Sequence, residues 1–340
     1  MPRLLLAASA LCIVAAPAPS QEAPAPLGPN ARSQFVERFL PSGFHRAFAT
    51  APDGRFGWAA HRPTIEEAIG DAIAACARDR GEGCRVRVVN GIAVDGTDPA
   101  ALPRRDPAAP SLGPLVPGDY VTIRGAAVAP GLVIWSHGYR PGTDSSGTLA
   151  HAYVSRFAAA GWDVYRYNRV AIESGAADLA GLLAGIAAAR DSGYRRVVLA
   201  GQSRGGWISL QAAAAGAAID GVIATAPATH GNRADSPAMG RARGDFRALL
   251  QRVAARPERL PIAITLFEAD SFDPGGRSDD VAALLGSREG VLFIDHPPGL
   301  RGHAAGASPG FNLRYGACLF VFVAEARRDP SCPTSGPAAR

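Results

Sequence analysis

Short apolar runs alternate with longer segments of helical periodicity along the chain beyond residue 117. The runs predict strands at 132–136, 163–167, 196–200, 221–226, 262–267 and 291–294. The segments between and after them predict helices at 147–159, 176–189, 204–215, 242–255 and 311–326. Strand–helix alternation at this spacing predicts an α/β fold, in which helices flank a mostly parallel sheet on both faces.

A different pattern between residues 45 and 95 predicts a small ββαβ module. Asp53-Gly54 is a hairpin turn signal between two short segments that carry aromatic residues. Thr64 and Glu67 form a capping box at the start of a helix, and alternating valines predict a strand at 85–89. The apolar face of the predicted helix consists of Ile65, Ile69, Ile73 and Cys76.

Composition sets the boundaries between these parts. The stretches 21–44 and 96–117 are interpreted as a Pro- and Ala-rich tether and a linker. The module then spans 45–95, the α/β domain 118–328 and the C-terminal tail 329–340.

The first twenty residues have the layout of a secretory signal peptide. Arg3 gives a positive start, residues 4–16 are apolar, and Ser20 precedes the predicted cleavage site. The apolar run is too short to remain as a membrane-spanning helix, so we expect a periplasmic or secreted protein without stable membrane insertion. Lipidation of Cys12 is the alternative, which the large Leu11 before it disfavours.

Four cysteines remain after removal of the signal peptide, an even number for an oxidising compartment. The economical pairing joins close neighbours, Cys76 with Cys84 and Cys318 with Cys332, and is one of three connectivities. Four unpaired buried thiols are the alternative. Because no cysteine pair has zinc-site spacing, we expect no metal site.

Arginine supplies all 35 basic residues, and the formal net charge is +5. A phosphate-binding or nucleic-acid-binding surface is one interpretation of this composition. The arginines are scattered, however, and often adjoin acidic residues, which favours codon bias in a GC-rich genome. We therefore expect no nucleic-acid partner.

The motif Gly201-Gln202-Ser203-Arg204-Gly205 directly follows the predicted strand 196–200. A G-x-S-x-G sequence between a strand and a helix is typical of a nucleophile elbow, where a serine occupies a strained turn. A glycine-rich turn without chemistry is the alternative. In its strand–turn–helix context the motif predicts Ser203 as the nucleophile.

A serine hydroxyl needs a base to accept its proton and an acid to orient that base. In this fold the expected chain order is serine, acid, histidine. Asp270 follows the strand 262–267 and is favoured over Asp273, which lies farther from the strand end.

His303 lies between the last predicted strand and the last predicted helix, where the general base is expected. His296, closer to the strand, and His230, after an earlier strand, are its rivals. The catalytic set predicted from residue order is therefore Ser203, Asp270 and His303.

Acyl transfer also needs N–H donors for the oxyanion. The backbone N–H of Arg204 is the first candidate. The second is the N–H of Tyr139, after the strand 132–136, with the Gly138 N–H as the alternative. His137 is then expected to have a structural role in this loop.

Together these motifs make residues 118–328 resemble the α/β-hydrolase superfamily, in particular esterases similar to dienelactone hydrolase. The resemblance implies hydrolysis of an ester, or less often an amide, without metal or organic cofactor. Between residues 228 and 260, where many relatives carry a lid, the chain is too short for a large cap, which favours an open pocket. Glu268 stands near where relatives often have glycine, so the turn before the acid is a departure from the family pattern.

The N-terminal module resembles a small cysteine-pair domain of bacterial exported proteins. The resemblance rests on the segments GRFGWAAHRPTIEEAIGDAIAAC and GCRVRVV. The sequence as a whole predicts an exported serine hydrolase acting on a small-molecule ester. A peptidase or amidase on the same fold is one alternative. A catalytically decayed protein that contacts the cell envelope through the N-terminal module is another.

Overall fold

The computed structural model describes residues 27–78, 82–94, 97–139, 145, 147–169, 175–256, 259–329 and 332–333. The strands are β1 Ala47–Thr50, β2 Phe56–Ala59, β3 Arg85–Val89, β4 Ile92–Ala93, β5 Leu115–Pro117, β6 Leu132–Ser136, β7 Asp163–Tyr167, β8 Val197–Gln202, β9 Gly221–Thr225, β10 Ile262–Leu266 and β11 Val291–Asp295. The α-helices are α1 Pro29–Gln34, α2 Ile65–Ala77, α3 Val154–Ala159, α4 Gly175–Asp191, α5 Arg204–Ala214, α6 Met239–Ala254, α7 Arg277–Leu285 and α8 Pro309–Ala324. The predicted signal peptide, with Cys12, lies outside the described residues.

The predicted ββαβ module is confirmed, with β4 as an additional short strand. Its strands form an antiparallel sheet in the order β2-β1-β3-β4. The Thr64 side chain caps α2 by accepting a hydrogen bond from the Glu67 N–H. The buried face of α2 differs from the predicted one because Ala68 and Ala72 are buried, whereas Ile73 is exposed.

Part of the expected tether, 21–44, is folded. Residues 29–34 form α1, and Phe35–Phe39 continue as a π-helical turn. Phe35 and Phe39 contact the ring of Phe48 on β1, with centroids 5.1 and 5.4 Å apart. These aromatic contacts provide the apolar burial that a tether would lack.

The large sheet has seven strands in the order β11-β10-β9-β8-β6-β7-β5. All neighbouring pairs are parallel except β5 with β7, which are antiparallel at the edge. The predicted parallel sheet is therefore confirmed. β5 falls within the expected linker 96–117, so the second domain begins earlier than residue 118.

Helices cover both faces of this sheet, as the sequence predicts. Along β6, Leu132 and Ile134 pack into one core with α4 to α7. Val133 and Trp135 face the other way and pack with residues of α3 and α8. Because both faces are buried, the strands are continuous apolar runs rather than alternating ones.

Two helices differ from the sequence prediction. α7 was not predicted, because only Val281 and Leu285 supply large apolar side chains to its buried face, one turn apart. α3 begins at Val154 rather than at residue 147. Within the described residues, none of the helices has both the length and the apolar character needed to cross a membrane.

Both predicted disulfides are present. Cys76 on α2 is bonded to Cys84 just before β3, and Cys318 on α8 is bonded to Cys332 in the C-terminal tail. The first fastens the helix of the module to its sheet, and the second fastens the tail to the last helix.

Residues 41–43, which lead into the N-terminal module, pack against the α/β domain through their backbone. The carbonyl oxygen of Pro41 accepts hydrogen bonds from Asn312 Nδ2 at 3.0 Å and Ser155 Oγ at 3.4 Å. The carbonyl of Ser42 is an alternative acceptor for the same Ser155 hydroxyl. A Cβ atom added to Gly43 would lie 2.6 Å from the Cβ of Ala152, so the two segments meet with no space for a side chain between them.

The substitution Gly43→Ala should therefore destabilise the protein, because the added methyl group must displace Ala152 or His61. We expect a loss of about 1–3 kcal/mol in the free energy of unfolding, measured by urea denaturation. Gly70→Ala is the matched control. Gly70 lies in α2 with no heavy atom within 4 Å of an added Cβ, and alanine should stabilise that helix by up to about 1 kcal/mol. Equal unfolding midpoints for Gly43→Ala and the unsubstituted protein would contradict the tight interface.

Candidate active site

Ser203 occupies a sharp turn between β8 and α5. Its φ and ψ angles are 55° and −121°, a region that residues other than glycine rarely adopt. Two backbone hydrogen bonds hold the turn, from the Ser203 N–H to the Thr225 carbonyl at 3.0 Å and from the Trp207 N–H to the Ser203 carbonyl at 2.9 Å. The predicted elbow geometry is therefore present, with a strained serine between a strand and a helix.

The flanking glycines are required by close backbone approach. A Cβ on Gly205 would overlap the carbonyl oxygen of Ser136 at the end of β6. A Cβ on Gly201 would overlap the backbone of Gly205. Residues with side chains at these positions would push α5 away from the sheet and disrupt the turn.

Asp270 lies in the loop after β10 and its side chain is buried. The preceding residue, Ala269, has a φ of 56°, which turns the chain at the strand end. The Phe272 N–H donates to Asp270 Oδ1 at 2.8 Å, which fixes the carboxylate. Its rival Asp273 instead accepts a hydrogen bond from the Gly275 N–H at 2.8 Å.

His303 faces Asp270. Its Nδ1 lies 2.9 Å from both carboxylate oxygens. With the proton on Nδ1 donated to the carboxylate, Nε2 is the nitrogen left to accept a proton, and it is buried without a hydrogen-bond partner. The ring of Phe272 stacks on the imidazole at 4.1 Å between centroids, which restricts its rotation.

Contacts between loops bring His303 to Asp270 and to the serine turn. Glu268 accepts a hydrogen bond from the Gly302 N–H on its carbonyl at 2.7 Å, and its side chain pairs with Arg301 at 2.9 Å. The Gln202 side chain, next to Ser203, donates to the His303 carbonyl at 3.2 Å. Glu268, the departure from the family pattern, thus ties the acid loop to the histidine loop.

The two rival histidines lie with other carboxylates. His296 Nδ1 is 2.7 Å from Asp295 Oδ1. His230 Nε2 is 2.7 Å from Asp245 Oδ2. The structure therefore brings His303, of these three, against the predicted acid.

The loop after β6 passes beside Ser203. A Cβ on Gly138 would lie 3.4 Å from the Cβ of Ser203. The Gly138 carbonyl lies 2.6 Å from His137 Nδ1, and His137 is buried. His137 thus holds the loop, and the Tyr139 N–H, at the other end of the same trans peptide, points in the opposite direction to that carbonyl.

Two buried ionisable groups, Arg277 and His151, interact electrostatically with the Asp270–His303 pair. Arg277 donates to the Pro227 carbonyl at 2.8 Å and lies 3.9 Å from Asp273. Burial lowers the pKa of Arg277, while Asp273 and Asp270 oppose that shift, so its positive charge lies near the acid. Burial, together with the charge of His303, lowers the pKa of His151 to about 3. His151 is therefore neutral at ordinary pH.

No sequence pattern assigns a role to Gln202, Phe272 or His151. Gln202 contributes a contact between loops, and Phe272 contributes a backbone N–H and a stacked ring. His151 contributes a buried neutral imidazole. None of these has a motif, because each depends on which loops meet at the carboxyl edge of the sheet.

Within the described residues, no large cap covers the surface around the pair. In the described part of 228–260, a loop leads into α6, which packs against α5 and α7 on one face of the sheet. A cavity of about 480 Å³ adjoins Asp270 and is bounded by Phe267, Ser271, Arg277 and His296 among others. Ser203 and His303 do not line it. No cluster of three or more metal-ligating side chains is found among the described residues.

No protein-family model matches the chain, and no curated protein matches it. Among solved structures, it is similar to a metagenome-derived lipolytic enzyme from work on LipS and LipT, at 15% identity over 63% of this chain and 98% of the other, with a TM-score of 0.45. It is also similar to the Pyrococcus furiosus esterase Pf2001, at 14% identity over 56% and 82%, with a TM-score of 0.42. A puromycin-hydrolyzing peptidase of Mycobacterium tuberculosis is matched at 17% identity over 62% of this chain but 36% of the peptidase, with a TM-score of 0.44. Such distant likenesses carry no argument about activity.

The topology of the large sheet and the order of three residues along the chain identify the fold. The large sheet is parallel apart from one edge strand, β5. A serine with positive φ joins β8 to α5, and an aspartate and a histidine in contact follow β10 and β11. A serine on such a turn, followed along the chain by an aspartate and then a histidine, is the residue order of the α/β-hydrolase fold. The chain has the α/β-hydrolase fold, with a small antiparallel module at its N-terminus.

Proposed function

We propose that the protein is a serine hydrolase that cleaves carboxylic esters, with Ser203, His303 and Asp270 as its catalytic residues. One observation carries the proposal: a strained serine turn and a buried His303–Asp270 pair lie at the same edge of the sheet, linked through Gln202. Strain and buried ionisable pairs are costly, and they concentrate at sites of chemistry.

In the acylation step, Ser203 Oγ attacks the ester carbonyl carbon while His303 Nε2 takes the hydroxyl proton. Asp270 keeps the other imidazole proton on Nδ1 and stabilises the imidazolium. The N–H groups of Arg204 and Tyr139 hold the oxyanion of the tetrahedral intermediate. The intermediate collapses when the alcohol leaves with the proton from His303.

In the second step, water attacks the acyl-enzyme carbonyl and His303 takes a proton from that water. The second tetrahedral intermediate releases the acid and returns the proton to Ser203 Oγ. This cycle needs no metal or organic cofactor. The proposed substrate is a small-molecule ester.

We also propose that the chain is exported to the periplasm or secreted. The two disulfides support this proposal, since such bonds persist in oxidising compartments. Contact with the cell envelope through the N-terminal module stays a prediction.

Removal of either Ser203 or His303 should abolish hydrolysis of p-nitrophenyl esters of graded acyl length. We expect Ser203→Ala and His303→Ala to lower kcat by at least about 10⁴-fold, because nucleophile and base act as one unit. A fluorophosphonate probe should label the unsubstituted protein and not Ser203→Ala. Ser192→Ala, at an exposed turn serine, and His296→Ala, at a rival histidine, are the controls and should retain activity. Labelling that persists in Ser203→Ala would refute the assignment of the nucleophile.

Asp270 and Asp273 provide a second matched comparison. Asp270→Asn should lower kcat by about 10³- to 10⁴-fold, because the amide no longer fixes the imidazole tautomer. Asp273→Asn should have a much smaller effect, since Asp273 does not contact His303. Steady-state ester hydrolysis of the two purified variants measures the difference. The reverse order of effects would show that Asp273 is the acid.

A further inference from the structure

Arg169 is a buried arginine two residues after β7, and the proposed mechanism does not use it. Its Nη2 donates to the Gly138 carbonyl at 3.0 Å and also to the His137 carbonyl. Both acceptors belong to the loop that passes beside Ser203. The guanidinium is thus fixed to the backbone of the candidate oxyanion loop.

These contacts determine the direction of one peptide group. The Gly138 carbonyl is held between Arg169 Nη2 at 3.0 Å and His137 Nδ1 at 2.6 Å. In a trans peptide the C=O and N–H point in opposite directions, so the Tyr139 N–H is directed away from Arg169. A cation bound to the carbonyl oxygen also polarises the peptide and strengthens its N–H as a donor.

The charge of Arg169 is poorly compensated. Its Nε and Nη1 are buried without hydrogen-bond partners, and no carboxylate of the described residues forms an ion pair with it. Asp178 favours the charged form from a distance, but its carboxylate is bonded to Arg204 at 3.0 Å. Burial lowers the pKa of Arg169 to about 10, so the group is still charged at neutral pH. A buried charge without a paired opposite charge lowers the stability of the folded protein.

We propose that Arg169 is a positioning residue of the oxyanion hole, which holds the Gly138–Tyr139 peptide so that its N–H faces the oxyanion. This inference rests on the proposed serine-hydrolase function. Arg169 does not touch the substrate, and its positive charge favours the developing negative charge through the polarised peptide.

The test compares Arg169→Met and Arg169→Lys with Arg166→Met in the full chain. Arg166 is a buried arginine on β7, three residues before Arg169, and it is paired with Asp119 at 3.2 Å. We expect Arg169→Met to lower kcat about tenfold to hundredfold with KM unchanged, as for partial loss of one oxyanion donor. Arg169→Lys, which keeps the charge but not the fork, should retain an intermediate rate. The folded fraction of Arg166→Met should have the same kcat as the unsubstituted protein.

A phenylboronic acid gives a second measurement, because its tetrahedral adduct on Ser203 places an oxygen in the oxyanion hole. Its affinity should fall in Arg169→Met by the same factor as kcat/KM. Unchanged kcat and boronate affinity in a folded Arg169→Met would overturn the inference. If that variant does not fold, Arg169→Lys decides by the same two measurements.

The unsubstituted protein separates this inference from the function on which it rests. If it resists fluorophosphonate labelling and hydrolyses no ester, the proposed function fails and the inference falls with it. If it is active while the Arg169 variants match it, only the inference fails.

Discussion

The close approach of α5 to β6 is the constraint on which the site depends. It is possible because Gly205 has no side chain where its Cα meets the carbonyl of Ser136. This contact forces the chain to turn within one residue, and Ser203 takes a positive φ as a result. Strain of this kind costs about 1–3 kcal/mol. It persists because the strands around it are buried on both faces and the Thr225 carbonyl fixes the Ser203 N–H.

The rest of the site is assembled by contacts between loops that are distant in sequence. Parallel strands place their carboxyl ends at one edge, so the loops after β8, β10 and β11 meet there. Glu268 binds the backbone before His303, and Gln202 binds the His303 carbonyl. The segment before the N-terminal module adds to this packing, because residues 41–43 lie against Ala152 and Asn312 of the larger domain.

Arginine serves inside the protein as well as on its surface. Buried guanidinium groups of Arg46, Arg169 and Arg277 each donate to a backbone carbonyl of a loop. A planar, weakly hydrated cation with several donors can satisfy carbonyls in several directions, which a lysine ammonium does less well. From the sequence, the exclusive use of arginine is interpreted as codon bias. Inside the protein, some of these arginines also hold loops in place through hydrogen bonds to backbone carbonyls.

The sequence by itself determined the parallel sheet, the module and the elbow motif, because continuous apolar runs and turn residues are local signals. It favoured the two disulfide pairs through their short cysteine spacings but left other connectivities open. It did not indicate the helical turn of 29–39, the short edge strand β5, or α7, since each is stabilised by contacts with distant residues. Residue order favoured Asp270 and His303, but only the tertiary structure decided that these two side chains meet. Their pairing depends on a positive φ at Ala269 and a bridge between loops, and no local pattern in the chain encodes that distance.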